Sequence, residues 1–328
     1  MKVSVLVITY NHERYIAQAI NSILMQAVNF DYEIIIGEDA STDRTRQIVL
    51  ELEKQHPDKI RVMLQTEADA ERDRAAGLGG KSNFVKGLQA CQGQYLALLE
   101  GDDYWTDSAK LQKQVDFLQQ HPDFASCFHN VEIIHQDGTK QSGNSCPPDQ
   151  KEVSNIEDLL AENFMQTGSV MYRRSLIGKL PEWFHTSSIG DWPLHIMVAQ
   201  HGNIGYLDRV MGAYRIHEGA YWSAKPTAHK LLASIKLLNS LNEYLGYKYD
   251  RQIKTTQCRY YDALTNIYYS EGDMTKARDF LAKRIRLGLS SYHLPSKQQV
   301  GRLLRLQNPG LYNILKSLRN FISLRSLP

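Results

Sequence analysis

The first hundred residues alternate between short apolar runs and longer segments in which apolar positions recur at helical spacing. Residues 3–8, 33–36, 60–64 and 95–99 are mostly apolar and are predicted to be strands. Helices are predicted between them, over residues 13–26, 41–55 and 84–90. Strands that are apolar on both faces are typical of a parallel sheet covered by helices on both sides. The pattern therefore predicts an α/β fold of the Rossmann-like kind, with a mixed, mostly parallel sheet.

The segment 67–81 interrupts this alternation because it is charged and contains several glycines. It is predicted to be a loop. Its cations would either close over the phosphates of a ligand or simply face solvent.

The second half of the chain divides at about residue 225. Residues 106–225 mix helices, strands and an Asp137-Gly138 hairpin turn, and they are predicted to complete a domain that begins at residue 1. Residues 226–328 follow a helical pattern, with a turn at Gly272-Asp273 that resembles one tetratricopeptide-type helical hairpin. We therefore predict a domain over 1–225, with halves of about 1–105 and 106–225, followed by an α-helical C-terminal extension.

Composition is ordinary for a globular protein, with 42% hydrophobic and 23% charged residues. The net charge of +2 conceals an asymmetry, because residues 251–328 carry 14 Lys/Arg against 4 Asp/Glu. An acidic front and a basic tail do not resemble a nucleic-acid-binding face. Apolar residues 311, 314, 315, 318 and 322 lie beside basic ones, so the tail is predicted either to pack on the helical region or to contact an anionic membrane peripherally.

The four cysteines, Cys91, Cys127, Cys146 and Cys258, show no ligand-like spacing and are predicted to be reduced structural thiols. The first apolar run is too short for a signal peptide and leads into polar residues. No stretch approaches the roughly 18–20 apolar residues needed to span a bilayer. The predicted location is the cytoplasm, including the inner face of the cytoplasmic membrane.

Polar clusters follow three of the predicted strands: Thr9-Tyr10-Asn11, Gly37-Glu38-Asp39 and Glu100-Gly101-Asp102-Asp103. Ligands of parallel sheets bind beyond the carboxyl ends of the strands, so these clusters are expected to share one pocket. Three carboxylates close together suggest a divalent cation, which binds oxygen ligands and phosphates. Taken alone, the last cluster is equally compatible with an acidic turn that caps the next helix.

In combination, these clusters closely resemble the inverting family 2 glycosyltransferases with the GT-A fold, over roughly residues 2–220. The resemblance implies that the Thr9-Tyr10-Asn11 segment contacts the nucleotide and that Asp39 holds its base, typically uracil. It also implies that the cluster at 100–103 binds ribose and Mg²⁺ or Mn²⁺. Asp102 and Asp103 are its candidate metal ligands, and Glu100 and Asp102 its candidate nucleotide contacts.

Two positions depart from the family pattern. Glu100 stands where Asp is usual, and Ala40 stands where Gly is more frequent. The longer Glu100 is expected to keep its role with altered geometry. A dinucleotide-binding enzyme is the weaker alternative, because the GxGxxG turn after the first strand is absent.

Three later residues complete the candidate site. An inverting transfer needs a carboxylate that takes the proton of the acceptor hydroxyl, and Asp191 at a predicted helix start matches the catalytic base of the family. The alternative role of Asp191 is a helix N-cap, and both roles are compatible. The resemblance further implies Arg215 as a phosphate contact and His217 as a metal ligand; a lone histidine is otherwise usually structural.

The sequence thus predicts a metal-dependent inverting glycosyltransferase. Its partners are a nucleotide-diphosphate sugar, most simply a UDP-sugar, and a saccharide or lipid-linked acceptor in surface polysaccharide or glycolipid synthesis. A homo-oligomer is compatible with this reading. The alternative is an inactive GT-A-fold scaffold in a polysaccharide assembly complex. A sugar nucleotidyltransferase would require a Gly-rich, cationic loop directly after the first strand, which the sequence lacks.

Overall fold

A computed structural model of the chain describes residues 1–290. The chain divides into two compact units, residues 1–225 and the residues from 226 onward. Within the described residues, all four cysteines are buried free thiols.

The first unit contains a ten-stranded sheet. Its strands are β1 (Val3–Thr9), β2 (Tyr32–Glu38), β3 (Ile60–Leu64), β4 (Tyr95–Glu100), β5 (Tyr104–Trp105), β6 (Phe124–His135), β7 (Lys140–Asn144), β8 (Val153–Ser154), β9 (Met171–Arg173) and β10 (Asn203–Ile216).

Helices connect these strands along the chain. They are α1 (Ile16–Leu24), α2 (Thr45–Gln55), α3 (Glu67–Ala75), α4 (Lys81–Ala90), α5 (Lys110–Gln120), α6 (Ile156–Ala161), α7 (Glu182–His185) and α8 (Asp191–Ala199).

Eight of the strands lie in the order β3-β2-β1-β4-β9-β6-β10-β5, while β7 pairs with β6 and β8 with β10. The strands β5, β7 and β8 each run antiparallel to the strand they pair with. The first four strands are parallel, β9 runs antiparallel to both of its neighbours, and β10 is parallel to β6. The predicted mixed, mostly parallel sheet is confirmed. Because β1 lies between β2 and β4, the carboxyl ends of these three strands meet at one edge of the sheet.

The strands β1, β2 and β4 are buried on both faces, as the pattern predicts, whereas the edge strand β3 is partly exposed. On one face, Val5 and Val7 of β1 belong to a fully buried cluster with Ile16 and Ile20 of α1. On the other face, α4 approaches so closely that a Cβ on its Gly87 would lie 2.5 Å from Leu6 Cδ1. Helices on both sides therefore hold the central strands rigidly, and this fixes the positions of the loops that follow them.

The structure differs from the sequence prediction at residues 67–81, where α3 occupies most of the expected loop. The Thr66 hydroxyl caps this helix by accepting a hydrogen bond from the Asp69 backbone N–H at 3.1 Å. Acidic residues lie in the first turn and arginines in the last, an arrangement that suits the helix dipole. The loop shrinks to residues 76–80, in which Gly77, Gly79 and Gly80 have positive φ.

The second unit, as far as it is described, consists of α9 (Thr227–Tyr244), α10 (Asp250–Ser270) and α11 (Met274–Ser290). The predicted turn separates α10 from α11, and Phe280 stacks on Tyr268 at 5.5 Å between ring centroids. The predicted basic tail helix lies outside the described residues. Within residues 1–290, no helix combines the length and the apolar character needed to cross a bilayer.

Candidate active site

The polar clusters after β1, β2 and β4 lie side by side at one edge of the sheet. The Asp39 backbone N–H donates to the Thr9 carbonyl oxygen at 3.0 Å, and that of Gly101 donates to the Ile8 carbonyl oxygen at 2.9 Å. These bonds extend the ladders just past the strand ends. They place Asp39 and the acidic cluster on opposite sides of the loop that follows β1.

Asp39 presents an unused carboxylate oxygen in a buried position. The residue is 4% exposed, and no hydrogen-bond partner among residues 1–290 reaches its Oδ1. Burial raises the pKa of Asp39 to about 6, although the charge of Arg74 acts in the opposite direction. The guanidinium of Arg74 also lies 5.1 Å from the centre of the Tyr10 ring. The arrangement offers an acceptor oxygen and, from Tyr10, an aromatic ring.

Gly80 lies directly against this carboxylate. It has a φ of +70°, and a Cβ built on it would lie 3.1 Å from Asp39 Oδ2. Both the positive φ and the close approach therefore favour glycine here.

Asn11 connects the loop after β1 to the loop after β2. Its backbone N–H donates to Ser41 Oγ at 3.0 Å, and its side-chain Oδ1 accepts from the Thr42 backbone N–H at 2.8 Å. Asn11 and Ala40 both have a φ of 55°, a left-handed conformation that glycine adopts without strain and asparagine tolerates better than alanine. The strain at Ala40 explains why glycine suits that position in the family pattern.

His12, Asp102 and His217 form a cluster whose ligand atoms all lie within 4.8 Å of one another. His217 Nε2 is 2.9 Å from Asp102 Oδ2, and His12 Nε2 is 3.7 Å from the same oxygen. Because imidazole nitrogen and carboxylate oxygen are common metal ligands, these three residues fit a divalent cation. Sequence reasoning missed His12, although it directly follows the Thr9-Tyr10-Asn11 segment.

The carboxylates around this cluster have strongly perturbed acidities. Burial raises the pKa of Glu100 to about 8, and the negative charges of Asp102 and Asp191 add to that effect. Burial and the charge of Asp102 raise the pKa of Asp103 well above its usual range. Burial would also raise the pKa of Asp102, but the hydrogen bond from His217 and the charge of His12 lower it. Asp102 is therefore the member of the acidic cluster best prepared to remain ionised.

Asp103 and Arg215 bond to each other and to neighbouring groups. Asp103 Oδ1 accepts from the Arg215 backbone N–H at 2.8 Å. The guanidinium of Arg215 donates to the Asp102 carbonyl oxygen at 2.9 Å and to Gln18 Oε1 at 3.0 Å, and it lies 4.6 Å from the Tyr15 ring centre. This geometry fastens the end of β10 to the acidic turn, which brings His217 next to Asp102.

Asp191 is the first residue of α8, and Thr167 Oγ1 donates to its Oδ2 at 3.1 Å. His195 Nε2 lies 3.9 Å from the same oxygen, and burial lowers the pKa of His195 to about 4, against the raising effect of Asp191. Lys81 lies nearby and donates to the Ile189 carbonyl oxygen at 2.8 Å. Burial lowers the pKa of Lys81 to about 7, opposed by Asp191. Asp191 thus joins the site from the second half of the domain.

Gly101 is required by the packing of the acidic turn. A Cβ at this position would lie 2.6 Å from Thr9 Oγ1 and 2.8 Å from His12 Nδ1. We expect Gly101→Ala to lower the free energy of unfolding by about 2 kcal/mol, the usual scale for overpacking a buried site. Urea unfolding followed by circular dichroism measures this change.

Gly212→Ala is the matched control, because its nearest neighbours would lie at least 3.4 Å from the new Cβ. Equal urea midpoints for the two variants would show that the acidic turn accommodates the added methyl group without loss of stability.

Three comparisons place this chain among known proteins. Residues 4–180 match the model of glycosyl transferase family 2. An uncharacterised protein of Mycobacterium tuberculosis is 40% identical over 226 residues, which cover 68% of this chain and 61% of that protein. An uncharacterised glycosyltransferase of Nostoc sp. is 31% identical over 264 residues, 75% of each chain.

Among solved structures, TarS of Staphylococcus aureus in complex with UDP-GlcNAc has a TM-score of 0.65 at 18% identity. The match covers 98% of this chain and 92% of that one, and it shows a shared fold. The match to the mycobacterial relative spans 61% of that relative's length. On the family match over more than half of its residues and on these relatives, the chain belongs to glycosyltransferase family 2.

Proposed function

We propose that this protein is a metal-dependent inverting glycosyltransferase that transfers a sugar from a nucleotide-diphosphate donor to an acceptor hydroxyl. One observation carries the proposal: a buried carboxylate with an unused oxygen and a cluster of side chains that could hold a metal ion lie at one edge of the sheet, and the carboxylate of Asp191, at a helix start, is close enough for its charge to raise the pKa of Glu100 there. These groups would bind the nucleobase, hold the cation that faces the diphosphate, and take the proton of the acceptor hydroxyl.

The donor's nucleobase binds between Tyr10 and Asp39 in this proposal. Asp39 accepts a hydrogen bond from a base N–H with its unused Oδ1, and the Tyr10 ring contacts the face of the base. Uracil and thymine present one such N–H, which favours a UDP-sugar. TarS, which shares the fold, was solved with UDP-GlcNAc, and this supports the same choice of base.

Asp102 and His217 would hold the cation, and Glu100, in the same turn, would contact the ribose. In that position Mg²⁺ or Mn²⁺ would supply neutralisation of the charge that develops on the leaving diphosphate. Asp103 and Arg215 contribute by holding Asp102 and His217 together. This modifies the sequence-based assignment, in which Asp103 was a metal ligand and Arg215 a phosphate contact.

Asp191 acts as the general base. Its carboxylate takes the proton of the acceptor hydroxyl while the acceptor oxygen attacks the anomeric carbon, and the bond to the diphosphate oxygen breaks with its electron pair. The hydroxyl of Thr167 fixes one carboxylate oxygen at 3.1 Å. This leaves the other for the acceptor. A single displacement inverts the anomeric configuration.

The acceptor is a hydroxyl of a saccharide or a lipid-linked saccharide, and the setting is surface polysaccharide or glycolipid synthesis. A putative teichuronic acid biosynthesis glycosyltransferase of Bacillus subtilis, 34% identical over 137 residues, supports this class of acceptor. Cytoplasmic location and membrane contact through the basic tail stay predictions from the sequence.

A thermal-shift screen tests the proposal. We expect UDP-sugars to raise the melting temperature in the presence of Mn²⁺, and GDP-sugars to raise it less, because ligands that bind only the folded state stabilise it. The measurement is the midpoint for each nucleotide sugar with Mn²⁺ or with EDTA. Absence of a metal-dependent shift with any nucleotide sugar would contradict the proposal.

A further inference from the structure

His12 lies at the metal-ligating cluster but does not hydrogen-bond to its carboxylate. Its Nε2 is 3.7 Å from Asp102 Oδ2, beyond hydrogen-bond distance. The His217 nitrogen, at 2.9 Å, is within that distance. The two imidazoles stand nearly perpendicular, with ring centroids 6.1 Å apart. Both rings therefore face the same oxygen from different directions.

The surroundings of His12 fix which of its nitrogens faces Asp102. Thr9 Oγ1 lies 3.3 Å from His12 Nδ1, and Thr45 Oγ1 accepts from the His12 backbone N–H at 2.8 Å. The glycine at position 101 lets the ring approach the acidic turn. Thr9 engages Nδ1, so Nε2 is the nitrogen that can act as a ligand. A hydrogen-bonding partner on the other ring nitrogen is usual for a metal-bound histidine.

The His217 ring is held as firmly. Its side chain is 6% exposed, and it packs on the Tyr15 ring at 5.0 Å between centroids. The Arg215 bonds to the acidic turn fix the strand end just before it. Both imidazoles are thus positioned before any cation arrives.

We infer that His12 is a third protein ligand and that the site is a two-imidazole, one-carboxylate site selective for first-row transition ions such as Mn²⁺ over Mg²⁺. Bonds of about 2.0–2.2 Å to one ion place its ligand atoms roughly 3–4 Å apart. Here Asp102 Oδ2 lies 2.9 Å from His217 Nε2 and 3.7 Å from His12 Nε2, and all three ligand atoms lie within 4.8 Å of one another. Imidazole nitrogen suits transition ions, whereas Mg²⁺ prefers carboxylate and water oxygens. The inference rests on the proposed function in one respect, because it assumes that this cluster is the metal site of the transferase.

The competing explanation is a hydrogen-bonded His–Asp–His arrangement without metal selectivity. It accounts for the contact between His217 and Asp102. It does not explain why His12 Nε2 lies 3.7 Å from the same carboxylate oxygen. A bound cation would replace the hydrogen bond between His217 and Asp102, and both imidazole nitrogens would then be its ligands.

The test is Mn²⁺ binding to the full chain, followed by the loss of the electron paramagnetic resonance signal of free Mn²⁺, with and without UDP. Mg²⁺ affinity is obtained by competition. The variants are His12→Ala, His12→Asp and, as the matched control, His201→Ala at an exposed histidine outside the cluster. Circular dichroism without metal verifies that each variant is folded.

We expect the wild type to bind one Mn²⁺ and His12→Ala to bind it about tenfold more weakly, with a smaller change for Mg²⁺. His12→Asp should shift selectivity towards Mg²⁺, and His201→Ala should leave both affinities unchanged. Electron spin-echo modulation of bound Mn²⁺ should show two coordinated nitrogens in the wild type and one in His12→Ala.

Three results would overturn the inference: no Mn²⁺ binding in either condition, equal Mn²⁺ affinity in wild type and His12→Ala, or an unchanged nitrogen count. None of these depends on turnover. A loss of metal selectivity therefore leaves the proposed transfer reaction standing, and failure of the transfer reaction leaves the metal measurement valid.

Discussion

We expect Asp191→Asn to lower the turnover of glycosyl transfer by about 1,000-fold, within the usual range for removing a positioned general base. The acceptor hydroxyl must lose its proton as it attacks, and an amide has no basic oxygen comparable to a carboxylate. The measurement is release of the nucleoside diphosphate at saturating donor and acceptor, over a range of pH values.

Asn is the right replacement because it changes the basicity of this position and little else. It keeps an oxygen that accepts from Thr167 Oγ1, now 3.1 Å from the Asp191 carboxylate. It also keeps the size of a residue at the first position of α8. The expected melting temperature is therefore close to that of the wild type, although the charge favourable to the helix N-terminus is lost.

The neighbouring His195 does not interfere with the proposed role of Asp191 as a base. It is buried 3.9 Å from the Asp191 carboxylate, and burial lowers its pKa to about 4 despite the raising effect of that carboxylate. It stays neutral at working pH, so it cannot neutralise the base. Its Nδ1 lies 2.5 Å from the Tyr172 hydroxyl, which holds the ring in place.

The matched control is Asp208→Asn, at an exposed aspartate on β10. We expect it to keep wild-type turnover. Donor binding should be unchanged in both variants, as measured by calorimetry with a UDP-sugar and Mn²⁺. Wild-type turnover in Asp191→Asn would remove this residue from the mechanism, whereas loss of donor binding would mean that it acts through the fold.

Much of the fold follows from local patterns. The central strands are apolar on both faces because helices cover both sides, and the pattern of residues 3–8 already contains that information. The helix that replaces the predicted loop at residues 67–81 could also have been predicted from local sequence. Thr66 and Asp69 have the spacing of a helix cap, but the glycines and charges that follow are typical of a loop.

The site was less predictable, because its decisive contacts join distant parts of the chain. His217 and Asp102 are 115 positions apart, and they meet because β10 pairs with β5 and Arg215 bonds to the acidic turn. Nothing in the local sequence shows that Arg215 fastens the end of β10 to that turn. His12 was missed for the same reason, since its nearest carboxylate, Asp102, lies on another strand end.

We expect UDP-sugar affinity to fall about tenfold for each pH unit below 6, because binding needs Asp39 ionised. Burial raises the pKa of this carboxyl to about 6, against the lowering effect of Arg74. Below that pH the carboxyl becomes protonated and is a poor acceptor for a base N–H. The measurement is the dissociation constant by calorimetry between pH 5 and 8.

The stability of the free protein should respond to Asp39 with the opposite sign. A carboxyl whose folded pKa lies above its unfolded value stabilises the fold at low pH. That contribution disappears as the pH rises from about 4 to about 6. Donor binding therefore improves over the range in which the Asp39 contribution to folding declines. The two trends separate a role in recognition from a role in stability.

Asp39→Asn isolates this residue from the other groups that titrate nearby, such as Lys81 and Glu100. An asparagine accepts a weaker hydrogen bond and does not titrate. We expect about tenfold weaker binding at pH 7.5, the scale of one charged hydrogen bond, and a flat profile below pH 6. A UDP-sugar is the proper ligand because its esterified diphosphate does not titrate near pH 6. If the variant kept the wild-type slope, the pH dependence would belong to another group, and Asp39 would not be the residue that holds the base.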